Sequence, residues 1–327
     1  MAVDLSQITG ILRAHAPQMW VDAVARNPYL YNMIAKVPAT GAKGSEWSIT
    51  YSGAEATGFQ EDDPLPAATQ DDTLQAVQNA GYFRSILKIT GHAEDALRNG
   101  DLVLLGNYLT SQMQSQIVGL TKTVHDAILG GADTQSGFVG LSSWFNNTGS
   151  IAGIDRATYP AASAFISSNG GTPRALTQAL MNTVANGMVQ TRQGSFNLVL
   201  GAINQVENFL ALSAAAGGRP IHNFNVTPAD TGSIALPVGF GSSTNALAPM
   251  ARFRGADVVA VPGMATDRLW FIDWSTPQNI ALEVVRNISV KELAPTDDNM
   301  RWQISVGLAL RVTNPYKTLG AIVDLSA

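Results

Sequence analysis

The chain has 327 residues, 46% of them hydrophobic and 14% charged, with a formal net charge of -5 and no cysteine. That apolar content suits a sizeable buried core in one large domain or two smaller ones. The charge balance excludes a global cationic surface for gathering phosphates, and the lack of cysteine excludes disulfides, thiolate metal sites and a cysteine nucleophile.

The first residues, "MAVDLSQITGILRAHAPQMW", have neither the basic start nor the unbroken apolar core of a secretory signal. No run of about 20 apolar residues is present to span a bilayer, so a soluble, intracellular protein with no membrane partner is expected. Residues 1 to about 42 read as an arm: an amphipathic helix with Met19, Trp20, Ala23 and Val24 on one face, then a stretch that Pro28 and Pro38 keep irregular. From Glu46 the pattern changes to period two, with Trp47, Ile49 and Tyr51 alternating with polar residues, which predicts a strand. A second extended segment is expected from about Leu74 to Ile89.

Between these segments lies the turn-rich "SGAEATGFQEDDPLPAATQDD". From Gly44 to Phe83 there is no lysine or arginine, while Glu46, Glu55, Glu61, Asp62, Asp63, Asp71 and Asp72 are acidic. Two readings stand side by side: a solvated loop, or a protruding acidic hairpin that seeks a basic surface on another subunit. The spacing does not match a calcium-binding loop.

Leu102, Leu105, Leu109, Met113, Ile117, Leu120, Val124 and Ile128 then recur at steps of three and four, the spacing of one helix face. Asp101 is the expected N-cap and Gly130-Gly131 the expected stop. A helix of roughly 28 residues is about 42 Å long, so something extended must lie beneath it. The other face, with Gln112, Ser115, Gln116, Thr121, Lys122 and Asp126, is polar with few charges.

Residues 141 to about 274 read as a compact α/β region. Helices are expected over "LTQALMNTVANGM" and "NQVENFLALSAAA", and buried strands over "FNLVL", "ADVVAVPG" and "RLWFID". In "RWQISVGLALRV" the residues Trp302, Ile304, Val306, Leu308, Leu310 and Val312 alternate with Arg301, Gln303, Ser305, Gly307, Ala309 and Arg311. That is one long half-buried strand, and "LEVVRNISVKEL" is its expected hairpin partner, with the long helix laid across the pair.

Catalytic signatures are missing: no phosphate-binding glycine loop, no dinucleotide fingerprint, no His-Glu-x-x-His and no nucleophile elbow. His15, His92, His125 and His222 are scattered singly, and none carries an assigned function. The most site-like stretch is "GIDRATYP", where Gly153, Ile154, Asp155, Arg156 and Tyr159 fall within eight residues. Read locally, Gly153 permits a turn, Asp155 accepts backbone N–H groups, Arg156 bridges to a carboxylate or carbonyl, and Pro160 holds Tyr159 extended. No nucleophile–base pair accompanies them.

The order of arm, acidic hairpin, long helix, α/β region and terminal hairpin, with "GLSSWFNNTGSIAGIDRATYP" and "GLALRVTNPYKTLGAIVDL", resembles the major capsid proteins of tailed bacteriophages with the Hong Kong 97 phage-type fold. The resemblance covers nearly the whole chain and implies an α+β fold in named segments. These are an N-terminal arm over 1–42, an extended loop (E-loop) over 43–90 lying on a neighbouring subunit, a peripheral domain over 91–140 and 275–312 with a spine helix, an axial domain over 141–274, and a C-terminal segment over 313–327.

It implies a non-enzymatic protein without cofactor or metal that self-assembles through hexamers and pentamers into the icosahedral head shell of the virion. A portal protein, separate scaffolding or decoration proteins and passively enclosed double-stranded DNA would be its partners. The motif residues it points to are Gly153, Ile154, Asp155, Arg156 and Tyr159 together with Arg311, Asn314 and Pro315. Where relatives often follow the tyrosine with tryptophan, this chain has Pro160-Ala161-Ala162.

The region ahead of the first hairpin strand reads as too short for a fused scaffolding segment, so scaffolding is expected to come from a separate protein or not to be needed. With only Lys43 at the hairpin base, covalent cross-linking is not expected. Contact between subunits is expected between Glu61, Asp62 and Asp63 of the hairpin and basic residues of the adjacent copy, with Arg301, Arg311 and Lys317 as candidates. An encapsulin-like nanocompartment shell, a surface-layer or tail protein, and an enzyme using Asp155, Arg156 and Tyr159 are the alternatives.

Overall fold

The computed structural model describes residues 5–26, 30–41, 44–52, 72–90, 102–215, 251–294 and 299–326. Two sheets organise them. The first has four strands in the order β1 (Ala35–Pro38), β12 (Ile280–Leu293), β13 (Asn299–Val312) and β4 (Gly81–Thr90). β12 and β13 are antiparallel from Ile280↔Val312 to Leu293↔Arg301, and β1 joins β12 in parallel. The period-two pattern of β13 does what its chemistry requires: Trp302, Ile304, Val306, Leu308, Leu310 and Val312 all point into the core. Each such side chain contributes about 1.5–3 kcal/mol by leaving water.

The extended segment expected over Leu74 to Ile89 is two strands. β2 (Gly44–Ser52) and β3 (Asp72–Asn79) form the hairpin, in the register Trp47↔Ala76 and Ile49↔Leu74. After Ala80 the chain turns into β4, which pairs with the first part of β13 from Asn299↔Thr90 to Leu308↔Gly81. Gly81–Thr90, grouped with the extended loop in the sequence reading, is therefore an edge strand of the sheet. Its inward Phe83, Leu87 and Ile89 are buried, so its own alternation holds it there. The tip of the hairpin, including Glu61, Asp62 and Asp63, lies outside the described residues, as do Lys43, His92, Asp101 and His222.

The long helix forms as the spacing predicts: α3 spans Leu102–Leu129. Met113, Ile117, Leu120, Val124 and Ile128 are buried on one face. It lies closest to β4 and to α1 (Leu5–Arg26), while α1 in turn lies along β12. The expectation of α3 laid directly across the terminal hairpin thus changes in detail, because β4 occupies that side of β13 and α1 covers β12. Thr121, expected on the polar face, is buried instead, with Oγ1 donating to Val118 O at 2.7 Å. A hydroxyl that bonds its own helix backbone hides its polarity and can sit inside.

The second sheet has six strands in the order β7 (Phe165–Ser167), β14 (Leu319–Ile322), β11 (Leu269–Ile272), β8 (Leu198–Gly201), β10 (Ala256–Ala260) and β9 (Ala251–Phe253). Its central strands are apolar on both faces because both faces are covered. Leu198, Leu200, Trp270 and Ile272 join the core shared with the first sheet, and Phe145 stacks on Trp270 at 4.6 Å. Val199, Leu269, Phe271 and Ile322 pack against α5 (Gln178–Asn186) and α6 (Ile203–Ala215) through Met181, Val184, Val206 and Phe209. β14 comes from the last residues of the chain, which the sequence reading set apart as a C-terminal segment. Its uninterrupted "LGAI" has no polar face to expose, so it inserts between β7 and β11.

Candidate functional site

The chain passes between the two sheets at its "GIDRATYP" stretch and again just after β13, and both passages are tied down by arginines. Ser150–Ile151 (β5) and Ile154–Asp155 (β6) pair as a miniature hairpin. The two turn residues are Ala152 at φ 50° and Gly153 at φ 82°, the left-handed pair that a tight two-residue turn demands. Asp155 then caps the next turn: Oδ1 accepts the Ala157 N–H at 3.2 Å and Oδ2 the Thr158 hydroxyl at 2.7 Å. Those bonds, the Thr158 hydroxyl foremost, hold its carboxyl below the usual carboxylate range.

Arg156 is 4% exposed and spends its guanidinium on backbone. Nε donates to Ala162 O at 3.3 Å, Nη1 to Thr148 O at 2.8 Å and Nη2 to Ser143 O. Burial lowers its pKa from the ordinary arginine value, yet a guanidinium stays charged in proteins, and carbonyl oxygens in a planar fork suit it. Tyr159, half-buried at φ -123° and ψ 86°, packs against the main core. Pro160 opens a 3-10 turn whose Ala162 carbonyl Arg156 holds.

Arg192 supplies a second clamp that the sequence reading missed. Its Nη1 donates to Ser163 O at 2.8 Å and to Tyr316 O at 3.3 Å, and its guanidinium sits 4.3 Å from the Tyr316 ring centroid and 5.2 Å from that of Phe165. It therefore ties the incoming passage at Ser163 to the outgoing one at Tyr316. No local signal marks Arg192, since both partners are distant in sequence.

On the outgoing passage Asn314 caps the short helix α7 (Pro315–Thr318): its Oδ1 accepts the Lys317 N–H at 3.3 Å, and the buried Pro315 starts the turn. Arg311 pairs with Glu283 at 3.0 Å, and Glu283 is fully buried. Glu283 also accepts the Thr40 N–H at 2.9 Å and the Thr40 hydroxyl. As a candidate for a neighbouring subunit's carboxylates Arg311 is thus already engaged within its own chain, because an ion pair with a buried carboxylate leaves little to offer.

The junction also carries the base of the hairpin. Ala152 O accepts the Val77 N–H of β3 at 3.1 Å, Trp47 of β2 lies 6.0 Å from Trp144, and Thr40 exchanges hydrogen bonds with the Glu46 backbone. Chemically, this constellation holds backbone in place. The guanidiniums of Arg156 and Arg192 are occupied by carbonyls, the Asp155 carboxylate by an amide and a hydroxyl, and Arg311 by the Glu283 carboxylate, which is the work of a buttress.

A different face offers charge. On the side of the first sheet away from α3, the register sets Tyr82 beside Gly307 and Arg286, Arg84 beside Ser305 and Ser289, Ile86 beside Gln303 and Lys291, and Lys88 beside Arg301 and Leu293. These rows hold five cations, Arg84, Lys88, Arg286, Lys291 and Arg301, and no carboxylate. Tyr82 and Ile86 stand among them about half exposed, at 49% and 48%. Arg301 closes one end of this face, whereas Lys317 is exposed on α7 beyond the other end of β13. Eleven residue steps along the strand carry Arg301 to Val312, roughly 37 Å, so the structure does not bring Arg301 and Lys317 together. The alternation in "YFRSILKIT" marks Arg84 and Lys88 as sharing a face; only the register reveals that Arg286 and Lys291 join them.

Among the described residues no group of histidine and acidic side chains is arranged to hold a metal ion, and no helix is long and apolar enough to cross a membrane. A family profile described as SU10 major capsid protein matches residues 23–326. The chain belongs to the SU10 major capsid protein family. It is a shell subunit of a tailed phage capsid, forms that shell with further copies of itself, and resides in the virion.

No curated protein sequence matches it. The fold resembles the capsid subunit of cyanophage A-1(L), at 16% identity and a TM-score of 0.64 over 91% of this chain and 92% of the other. It also resembles a chain of Mycobacterium phage Bobi, at 13% identity and a TM-score of 0.54 over 92% of this chain and 91% of the other. The SrpI encapsulin of Synechococcus elongatus PCC 7942 shares the fold at 10% identity and a TM-score of 0.54, over 91% and 87%. The Hong Kong 97 phage-type architecture is thereby established for this capsid protein.

Proposed function

We propose that this capsid protein closes an icosahedral shell of hexamers and pentamers by laying the acidic tip of its hairpin on the cationic sheet face of an adjacent copy. One observation carries the reading. Residues 53–71 hold Glu55, Glu61, Asp62, Asp63 and Asp71 without a single lysine or arginine, and the four rows of the outer sheet face from Tyr82 to Lys88 hold five cations without a carboxylate. Complementary potentials of this kind steer association and fix register. Glu61, Asp62 and Asp63 meet the Arg84, Lys88 and Arg301 end of the face; Tyr82 and Ile86 supply apolar area; Lys317 belongs to a separate contact.

In this reading the first sheet with α1 and α3 is the peripheral domain and the second sheet with α5 and α6 the axial domain. The arginine-clamped passages join the two and root the hairpin. The protein acts by assembly rather than catalysis, each modest contact being multiplied by symmetry. Portal, scaffolding and decoration proteins are its further partners, and double-stranded DNA is enclosed passively, since a chain of net charge -5 offers phosphates no general attraction.

Reversing Glu61, Asp62 and Asp63 to lysine is expected to abolish shell formation at low salt, and reversing Arg84, Lys88 and Arg301 to glutamate in the same chain is expected to restore it. Sedimentation of the products across a salt series reads both effects. Normal shells from the acidic-tip variant, with unchanged salt sensitivity, would refute the docking.

A further inference from the structure

His125 lies on α3 with 2% of its surface exposed, and its ring joins three distant parts of the chain. Nδ1 accepts the N–H of Leu30 at 3.2 Å, and Nε2 lies 2.9 Å from the carbonyl of Pro262. An acceptor at Nδ1 requires that the proton sit on Nε2, so the bonded ring is neutral with one fixed tautomer. Leu30 opens the short helix α2 (Leu30–Met33), and its N–H is one that a helix cannot satisfy internally. Five residues on, the chain enters β1 and the first sheet. Pro262 follows β10 of the second sheet. A single imidazole thus pins the N-terminal arm to the long helix and the long helix to the loop beyond β10.

We propose that His125 is a proton-operated joint, which holds the arm at Leu30 while neutral and lets it go when a second proton occupies Nδ1. Protonation changes Nδ1 from acceptor to donor and sets it against the Leu30 N–H, so that two donors face each other in a buried place. The Pro262 bond survives, because Nε2 donates in both forms. The arm is released while α3 stays tied to the second sheet.

The charged surroundings leave the ring in control. On α3, Asp126 favours the protonated form, and Lys122 is exposed. α2 contributes the Tyr31 phenol, whose pKa burial raises and which stays neutral. Lys36 of β1 lies 4.5 Å over the Tyr31 ring. On α1, Arg13 donates to Val290 O, and His15 and Asp22 are exposed. The loop Val261–Met264 carries no ionisable side chain. Burial outweighs the Pro262 bond and Asp126 and pulls the His125 pKa below its usual 6.5. The joint is therefore intact above the ordinary histidine value and is lost as pH falls through the lower folded value.

Hydrogen exchange on the full-length protein, corrected for the intrinsic effect of pH, tests this. Peptides containing Leu30 are expected to lose protection by up to about tenfold per pH unit as pH falls from the ordinary histidine value of 6.5 to the lower folded value, and to level off below it, while peptides from β13 hold theirs. His125→Gln, which cannot titrate, is expected to show no such step. Equal protection of Leu30 at pH 7.5 and 5.0 in the wild-type chain overturns the proposal whether or not the variant folds, and so does a step that His125→Gln retains. The readout lies within one subunit, so its failure is distinct from any failure of shell docking.

Discussion

Arg156→Ala is expected to unfold at markedly lower temperature than the wild type, with a loss on the order of 3 kcal/mol. The guanidinium is buried and serves Ser143 O, Thr148 O and Ala162 O together. Each hydrogen bond to a charged group is worth about 1.5–3 kcal/mol, and water admitted into the gap recovers part of the total. Truncation also strands carbonyls that flank the β5–β6 turn, and that turn holds Val77 at the root of the hairpin. Assembly should therefore fail more completely than folding does. Arg156→Lys restores the charge but not the planar fork, so it should recover only a minority of the loss. Thermal unfolding of the three proteins measures this, and an unchanged midpoint for Arg156→Ala would show that the clamp is dispensable.

Glu283→Gln is the second large effect expected. Glu283 is fully buried and answers Arg311, the Thr40 amide and the Thr40 hydroxyl. Removing one partner of a buried pair strands the other and costs about 3–5 kcal/mol. The damage should be local as well as global, since Thr40 leads into the hairpin: tryptic cleavage at Lys36 and Lys43 is expected to accelerate. A double variant, Glu283→Gln with Arg311→Met, removes both charges and should regain much of the stability. Cleavage rates and unfolding midpoints that match across wild type, single and double variants would contradict a structural role for the pair.

How far the sequence reveals this architecture depends on where each signal is stored. The long helix and the β13 strand are legible because their burial is written at fixed spacing: Met113, Ile117 and Leu120 on one, Trp302, Ile304 and Val306 on the other. The division of the 74–90 segment is not legible, because alternation continues across the bend at Ala80 and nothing local says that Phe83 pairs with Val306 while Ala76 pairs with Trp47. β14 is hidden for a related reason, as its partners Phe165 and Leu269 lie far away in the chain.

At the site, Gly153 and Asp155 carry local turn chemistry and can be read directly. Arg156 shows its type but not its partners. Arg192 and the Arg286–Lys291 half of the cationic face gain their meaning only from register and tertiary contact. Arg311 illustrates the converse: an arginine on the outer row of a strand reads as free for a neighbour until Glu283 is seen beneath it.

The central claim is that copies of this chain close into a shell held by the acidic hairpin on the cationic sheet face. Cryo-electron microscopy of the purified, assembled protein tests it most directly. The account predicts closed icosahedral particles in which residues 53–71 of each subunit lie across Arg84, Lys88 and Arg301 of the next. Sheets, tubes or lone subunits would contradict it, and so would closed particles in which that segment rests on another surface.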